Sequence, residues 1–202
     1  TDENVYLYSK DSNEYLWKYR AEGTIWTVSI SANGEYIAAG GNTDTGQLYA
    51  FHKDSSSPLW IYDVEGLPLS VTGLSLSEDG SYLAVAYDFP NGLSSVSLFD
   101  INDENPMWSD DNSDSLCIQC FGGSMKNILI TKDASYVLVG TVANSDNDGG
   151  NILAYDTTYG TKLYDYELPD GYSSWNLGSS FTGKYFVVGS DNDLFYFFEN
   201  PG

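Results

Sequence analysis

Three groups of residues have the types and spacing that chemistry uses. Cys117 and Cys120 stand in the segment CIQC, Asn144, Asp146 and Asp148 alternate through NSDNDGGN, and His52 is the single imidazole of the chain. A zinc site would need two further soft ligands beside the cysteines. The sequence has no other cysteine, and His52 lies in a different part of the chain. A redox pair of this spacing sits at a helix N-terminus that lowers its thiolate pKa, and nothing around residues 117–120 reads as a helix. A local disulfide or two free thiols remain, with the Cys117–Cys120 disulfide expected for an extracellular chain.

Asn144, Asp146 and Asp148 ahead of Gly149 match the start of an oxygen-ligand calcium loop, but the twelfth position is Tyr155, where such a loop needs a bidentate Glu. The segments NTDTG (42–46) and SDND (190–193) put the same residue types at equivalent places. Recurrence favours turn formation, because Asp and Asn tolerate left-handed backbone and cap their own amides. Calcium is the one cofactor this loop leaves open, and no other is expected. His52 alternates with Phe51 along a strand, on an outer face where a solvated histidine is ordinary, and no G-x-S-x-G nucleophile elbow is present. Aspartate is so abundant that no carboxylate pair stands out. The expectation is a protein without catalytic activity.

The elements that would position these residues come from a repeated phrase. SISANGEYIAAGG (29–41) returns as SLSEDGSYLAVAY, ITKDASYVLVGT and SSFTGKYFVVGS, so that Tyr36, Tyr82, Tyr136 and Tyr185 are equivalent. Each phrase is followed by a second apolar run: QLYAF, VSLF, NILAY or LFYF, with VYLY ahead of them all. A third set contains Trp17, Trp60, Trp108 and Tyr164. TVSIS alternates with period two and leads into the hairpin signal Asn33-Gly34, after which EYIAAG is apolar enough for a strand covered on both faces. Four short strands per unit make a β-propeller blade, and the four tyrosine-centred runs are expected to be buried between neighbouring blades.

The fold class expected is therefore all-β: a β-propeller, or an arc of one, with four-stranded antiparallel blades and about four to five units in one domain. The units run roughly over residues 1–23 (partial), 24–66, 67–115, 116–171 and 172–202 (partial). The strands expected number 17, which is not a whole number of blades. Residues 4–9 and 193–198 both read as the third strand of a unit. They would compete for one place in a closed ring, so open strand edges are expected, pairing with further blades or with another copy.

The phrase S-I-S-x-(N/D)-G-x-Y-(I/L)-A resembles the second half of a WD-repeat unit, and AYDTTYGTKLYDYELPDG (154–171) resembles the hairpin of strands three and four in quinoprotein-type propeller repeats. The chain departs from the first in lacking the Gly-His opening and Trp-Asp ending, and from the second in matching the docking tryptophans only in part. Both resemblances imply a propeller that hosts scaffolds, receptors and a few enzymes. A quinoprotein-like enzyme would need a cationic, metal-binding pocket, which 8 Lys and Arg against 29 Asp and Glu hardly provide.

The same charge balance, net −21, excludes nucleic acid, since phosphate binding needs clustered Lys and Arg, and it disfavours an anionic membrane surface. No run of about 18 apolar residues exists, so no membrane insertion is expected. The first residue, Thr1, is not an initiator Met, so a processed or longer chain is expected. The function expected is a non-enzymatic binding or structural assembly module, extracellular or at the cell surface, with protein as its partner, including its own copies through residues 4–9 and 193–198. The alternative is a propeller that binds a glycan or small ligand through loop aromatics and carboxylates.

Overall fold

A computed structural model describes residues 2–43, 47–63, 69–88, 94–110, 128–142, 150–169 and 172–199. Among them regular structure is β throughout, in 17 strands. β1 (Asn4–Tyr8) and β2 (Tyr15–Arg20) form a hairpin. β3 (Gly23–Ile30), β4 (Tyr36–Thr43), β5 (Leu48–His52) and β6 (Trp60–Tyr62) form the first full blade. β7 (Leu69–Leu76), β8 (Tyr82–Asp88), β9 (Ser94–Asp100) and β10 (Pro106–Asp110) form the second, and β11 (Ile128–Ile130), β12 (Tyr136–Gly140), β13 (Asn151–Asp156) and β14 (Lys162–Glu167) the third. β15 (Ser174–Ser179), β16 (Tyr185–Ser190) and β17 (Phe195–Glu199) make a last sheet of three. All these pairings are antiparallel. The first strands β3, β7, β11 and β15 lie against one another in succession, so the sheets fan outward from them. The chain is an arc of a β-propeller.

The turn between strands one and two shows why the phrase repeats. A hydroxyl oxygen accepts the amide of the tyrosine five residues on: Ser31 from Tyr36 (3.0 Å), Ser77 from Tyr82 (3.0 Å), Thr131 from Tyr136 (3.1 Å) and Ser180 from Tyr185 (3.0 Å). In three of the four turns that hydroxyl donates to the Asn or Asp two residues on, namely Asn33, Asp79 and Asp133. The turn then needs a left-handed residue, supplied by Gly34, Gly80 and Gly183 and, in the third blade, by Ala134 at φ 56°. Gly80 has a second reason to be glycine, because a Cβ there would fall 2.5 Å from Cδ2 of Tyr36 on the preceding blade.

Strand alternation makes each blade two-faced. Ile37, Ala39, Tyr49 and Phe51 look back toward the β1–β2 hairpin and pack on Val5, Leu7, Trp17 and Tyr19, while Ala38, Leu48, Ala50 and Trp60 look forward onto the second blade. The seams between the second and third blades and between the third and the last sheet repeat the scheme, giving four separate apolar cores. Three of the four seams are pinned at the rim by a tryptophan. The Nε1–H of Trp17, Trp60 and Trp108 donates to the backbone oxygen of Lys53, Ile101 and Thr157 on the following blade, at 2.7, 2.7 and 2.9 Å. Tyr164 holds the fourth place and stacks edge-on with Phe186 and Phe198 instead.

Two features differ from the expected pattern. Beyond its pairing with β5, β4 continues and pairs Asn42 with Ser70 and Thr43 with Leu69, so the first two blades share one hydrogen-bonded sheet. The tyrosine-centred strands β4, β8 and β12 are buried, as the apolar runs predict, but β16 is covered on one face only, for no blade follows it among the described residues.

Candidate functional site

The residues singled out for chemistry fall in two groups. Cys117, Cys120, Asn144, Asp146 and Asp148 lie outside the described residues. His52 is described, and it is held rather than freely solvated. Its ring lies edge-on to Tyr36 at 5.5 Å, Nε2 is 3.3 Å from Glu35, and Nδ1 accepts the Asp54 amide at 3.4 Å. Lys53 binds Asp54 at 2.9 Å beside it. With Glu35, Lys53 and Asp54 around the imidazole, the arrangement is a charged rim at a strand end. Among the described residues no group of three His, Cys, Asp or Glu side chains converges as metal ligands.

Two other polar places deserve a chemical reading. Turns of three blades surround a cleft of 540 Å³ whose polar lining is Asn33, Glu78, Asp79, Lys132 and Asp133. The turns are tied together there, with the Ala32 amide donating to Glu78 O (3.1 Å) and Asn33 Nδ2 to Asp79 O (3.0 Å). Hydrogen bonds from the amide and hydroxyl of Ser81 hold the Asp79 carboxyl below the usual carboxylate range, and Ser77 adds a third. Its oxygens are thereby committed to the turn. In the core, burial pushes the Tyr155 phenol far above its ordinary value, and its hydroxyl donates to Asp110 at 2.8 Å. Burial and this hydrogen bond both favour the protonated phenol.

What stands out is the pair of open ends. The register aligns Ala38, Ala84, Leu138 and Val187 in strand two, and likewise Ala50, Leu98, Ala154 and Phe197, and Leu48, Val96, Ile152 and Phe195, in strand three. In the three full blades every one of these forward-looking side chains is sealed at 0% exposure. In the last sheet Val187 is 41%, Phe197 62% and Phe195 78% exposed. Tyr185 follows the same rule. Tyr36 and Tyr136 pack on turn glycines of the next blade, whereas Tyr185 stacks on Phe197 at 5.6 Å and stays open.

The other end is open in the opposite sense. Val28 and Ile30 of β3 align with Leu74 and Leu76 of β7 and with Ile128 and Ile130 of β11. Those four are buried, while Val28 and Ile30 are more than half exposed, because only the β1–β2 hairpin precedes the first blade. On the outer face of that hairpin Tyr6, Tyr8 and Tyr15 form an exposed cluster with ring centroids 5.8 to 6.4 Å apart. Among the described residues, the two buried side-chain oxygens without a hydrogen-bond partner, Thr27 Oγ1 and Ser190 Oγ, belong to β3 and β16, the strands that border these ends.

The aromatic side chains at the ends were not picked out by residue type, since the same types build the core elsewhere. The signal that finds them is the strand count read together with register: a forward-looking position in a last sheet has nothing to look at.

No protein-family model matches the chain, and no curated protein matches it either. Solved structures do. A chain of Kuenenia stuttgartiensis hydrazine synthase superposes with a TM-score of 0.68 over 93% of this chain at 14% sequence identity. This chain spans 55% of that chain's length. The likeness is one of fold, and it agrees with the all-β blades described above.

Proposed function

We propose that the chain is a non-enzymatic binding or assembly module of the β-propeller kind, whose open strand edges pair with further blades or with another copy, and that it works outside the cytoplasm. The observation that carries this reading is the exposure of Val187, Phe195 and Phe197 at positions that are fully sealed in all three preceding blades. Exposed apolar patches of this kind mark interaction sites in stable proteins, and the carboxylate-rich remainder of the surface keeps the chain soluble while they wait. An acidic surface and one closely spaced cysteine pair suit an oxidising exterior.

The test is sedimentation velocity of the intact chain across the micromolar range, beside Phe195→Ser/Phe197→Ser. Concentration-dependent association that the double variant alters supports the reading; a monomer at every concentration, with identical behaviour of the variant, ends it. Thiol counting on unfolded, unreduced material should find no free thiol at Cys117 and Cys120, and two free thiols would remove the extracellular assignment.

A second reading has its own observation. Tyr6, Tyr8 and Tyr15 offer a platform of three rings, with Asp2 accepting the Tyr6 hydroxyl at 2.5 Å, a combination that stacks and hydrogen-bonds a sugar ring. Fluorescence titration with oligosaccharides should then quench tyrosine in the intact chain and not in Tyr8→Ala.

A further inference from the structure

We propose that Asp110 and Tyr155 form a key that admits the third blade, and no other, onto the second, and so fixes the order of the blades as the chain folds.

Two side-chain positions meet in the same way at all four seams. One lies in strand four, two residues beyond the rim aromatic: Tyr19, Tyr62, Asp110 and Tyr166, which pair with Val5, Leu48, Val96 and Ile152. The other lies in strand three of the following blade: Phe51, Phe99, Tyr155 and Phe198, which pair with Ile37, Leu83, Val137 and Phe186. At three seams a tyrosine packs on a phenylalanine, with ring centroids 5.2 Å apart for Tyr19 and Phe51, 5.0 Å for Tyr62 and Phe99, and 5.3 Å for Tyr166 and Phe198. At the seam between the second and third blades both residues differ together. The phenol sits on strand three as Tyr155, and Asp110 stands where the tyrosine is elsewhere and accepts its hydroxyl at 2.8 Å. The stack around them is kept, for Trp108 lies on Tyr155 at 5.7 Å as Trp60 lies on Phe99 at 5.5 Å.

Each half of the pair rejects the partner that the other seams use. Set against Phe51, Phe99 or Phe198, Asp110 would be a half-buried carboxylate facing a ring with no hydrogen to give. Beneath Tyr19, Tyr62 or Tyr166, the fully buried Tyr155 would lose its charged acceptor and force two phenols into the room that one occupies elsewhere. Only with each other are both satisfied. The seam that carries the pair is also the one with the longest tether. Residues 111–127 separate β10 from β11, whereas 63–68 separate β6 from β7 and 168–173 separate β14 from β15. A short connection delivers the next blade by itself, because it reaches no other. Across a long one the last sheet, or a blade of another copy, also comes within reach, since the entropy cost of closing a loop rises only slowly with its length. Blades built from one repeated phrase present similar apolar faces, and wrong stacking is the failure to which repeat proteins are prone. A polar pair that matches at one seam alone discriminates where apolar packing does not.

The experiment uses the full chain. Asp110→Tyr/Tyr155→Phe rebuilds the common seam, and it is compared with the parent and with both single variants by urea unfolding. Each single variant leaves half of the key unmatched and should raise the unfolding constant about tenfold or more, while the double variant should recover most of that loss. The second measurement is the share of chain that regains its native near-ultraviolet circular dichroism after rapid dilution from urea. The double variant is stable but has no key, so this share should fall several-fold below that of the parent. Tyr62→Asp/Phe99→Tyr copies the key into the first seam, makes it ambiguous, and should lower the share in the same way. Losses in the single variants that simply add in Asp110→Tyr/Tyr155→Phe overturn the proposal. So does either double variant that refolds as completely as the parent.

Discussion

The seam between the first and second blades and the open face of the last sheet are built on one register, yet one is dry and the other wet. At the seam, Ala38, Leu48 and Ala50 meet Leu74, Leu83, Val85 and Phe99, and Trp60 closes the rim with its bond to Ile101. On the last sheet the same three positions are Val187, Phe195 and Phe197, and they meet solvent. A propeller blade is therefore not a self-sufficient core. Each sheet is stable because a neighbour covers it, and the last sheet in a row always presents a ready-made half of a seam.

The sharpest way to break this comparison is to place one charge at one register position in both settings. Ala50→Asp buries a carboxylate with no partner and should cost about 3–5 kcal/mol, whereas Phe197→Asp, its register equivalent, should cost less than about 1 kcal/mol in dilute solution. Urea unfolding of both decides it, and equal losses would mean that the open face is covered within the single chain.

Next comes the rim of the seam. Trp60→Phe keeps most of the stack on Phe99 but leaves the buried Ile101 oxygen without its donor, for an expected loss of about 1–3 kcal/mol by thermal unfolding. The same change at Trp17, whose bond to Lys53 O is only partly buried, should cost less.

The turns sharpen the comparison on a smaller scale. Ala134→Gly relieves a left-handed alanine and should gain about 0.5–1 kcal/mol, while Gly80→Ala adds both that strain and a contact with Tyr36 and should lose more than the first gains.

The smallest effect is expected at Asp79. Its carboxyl is held below the usual range in the fold, so the stability it contributes is present above the unfolded carboxylate value near pH 4 and is lost as pH falls through the lower folded one. Asp79→Asn should therefore lower stability slightly at pH 7, with little effect at a pH where the carboxyl is protonated anyway, and so flatten the acid limb of a pH titration followed by circular dichroism.

Local chemistry in the sequence determined the unit: in every turn a hydroxyl holds the amide of the tyrosine five residues on, with an Asn or Asp beside it in three turns and a left-handed glycine in three, and strand alternation divides every blade into a backward and a forward face. The seventeen strands among the described residues are the number to which that recurrence leads. Register and position were decided only by tertiary structure. Leu98 and Phe197 look alike in sequence, as apolar residues at one register position of third strands, and one lies in a core while the other lies in water, because burial depends on whether a neighbouring sheet covers that face, which no residue states about itself. The pinning of Trp60 to Ile101 belongs to the same class, since donor and acceptor are 41 residues apart and meet only when two sheets stack. So does the extension of β4 onto β7, which the turn-rich stretch after Gly41 concealed and which side-by-side packing of the two blades made available.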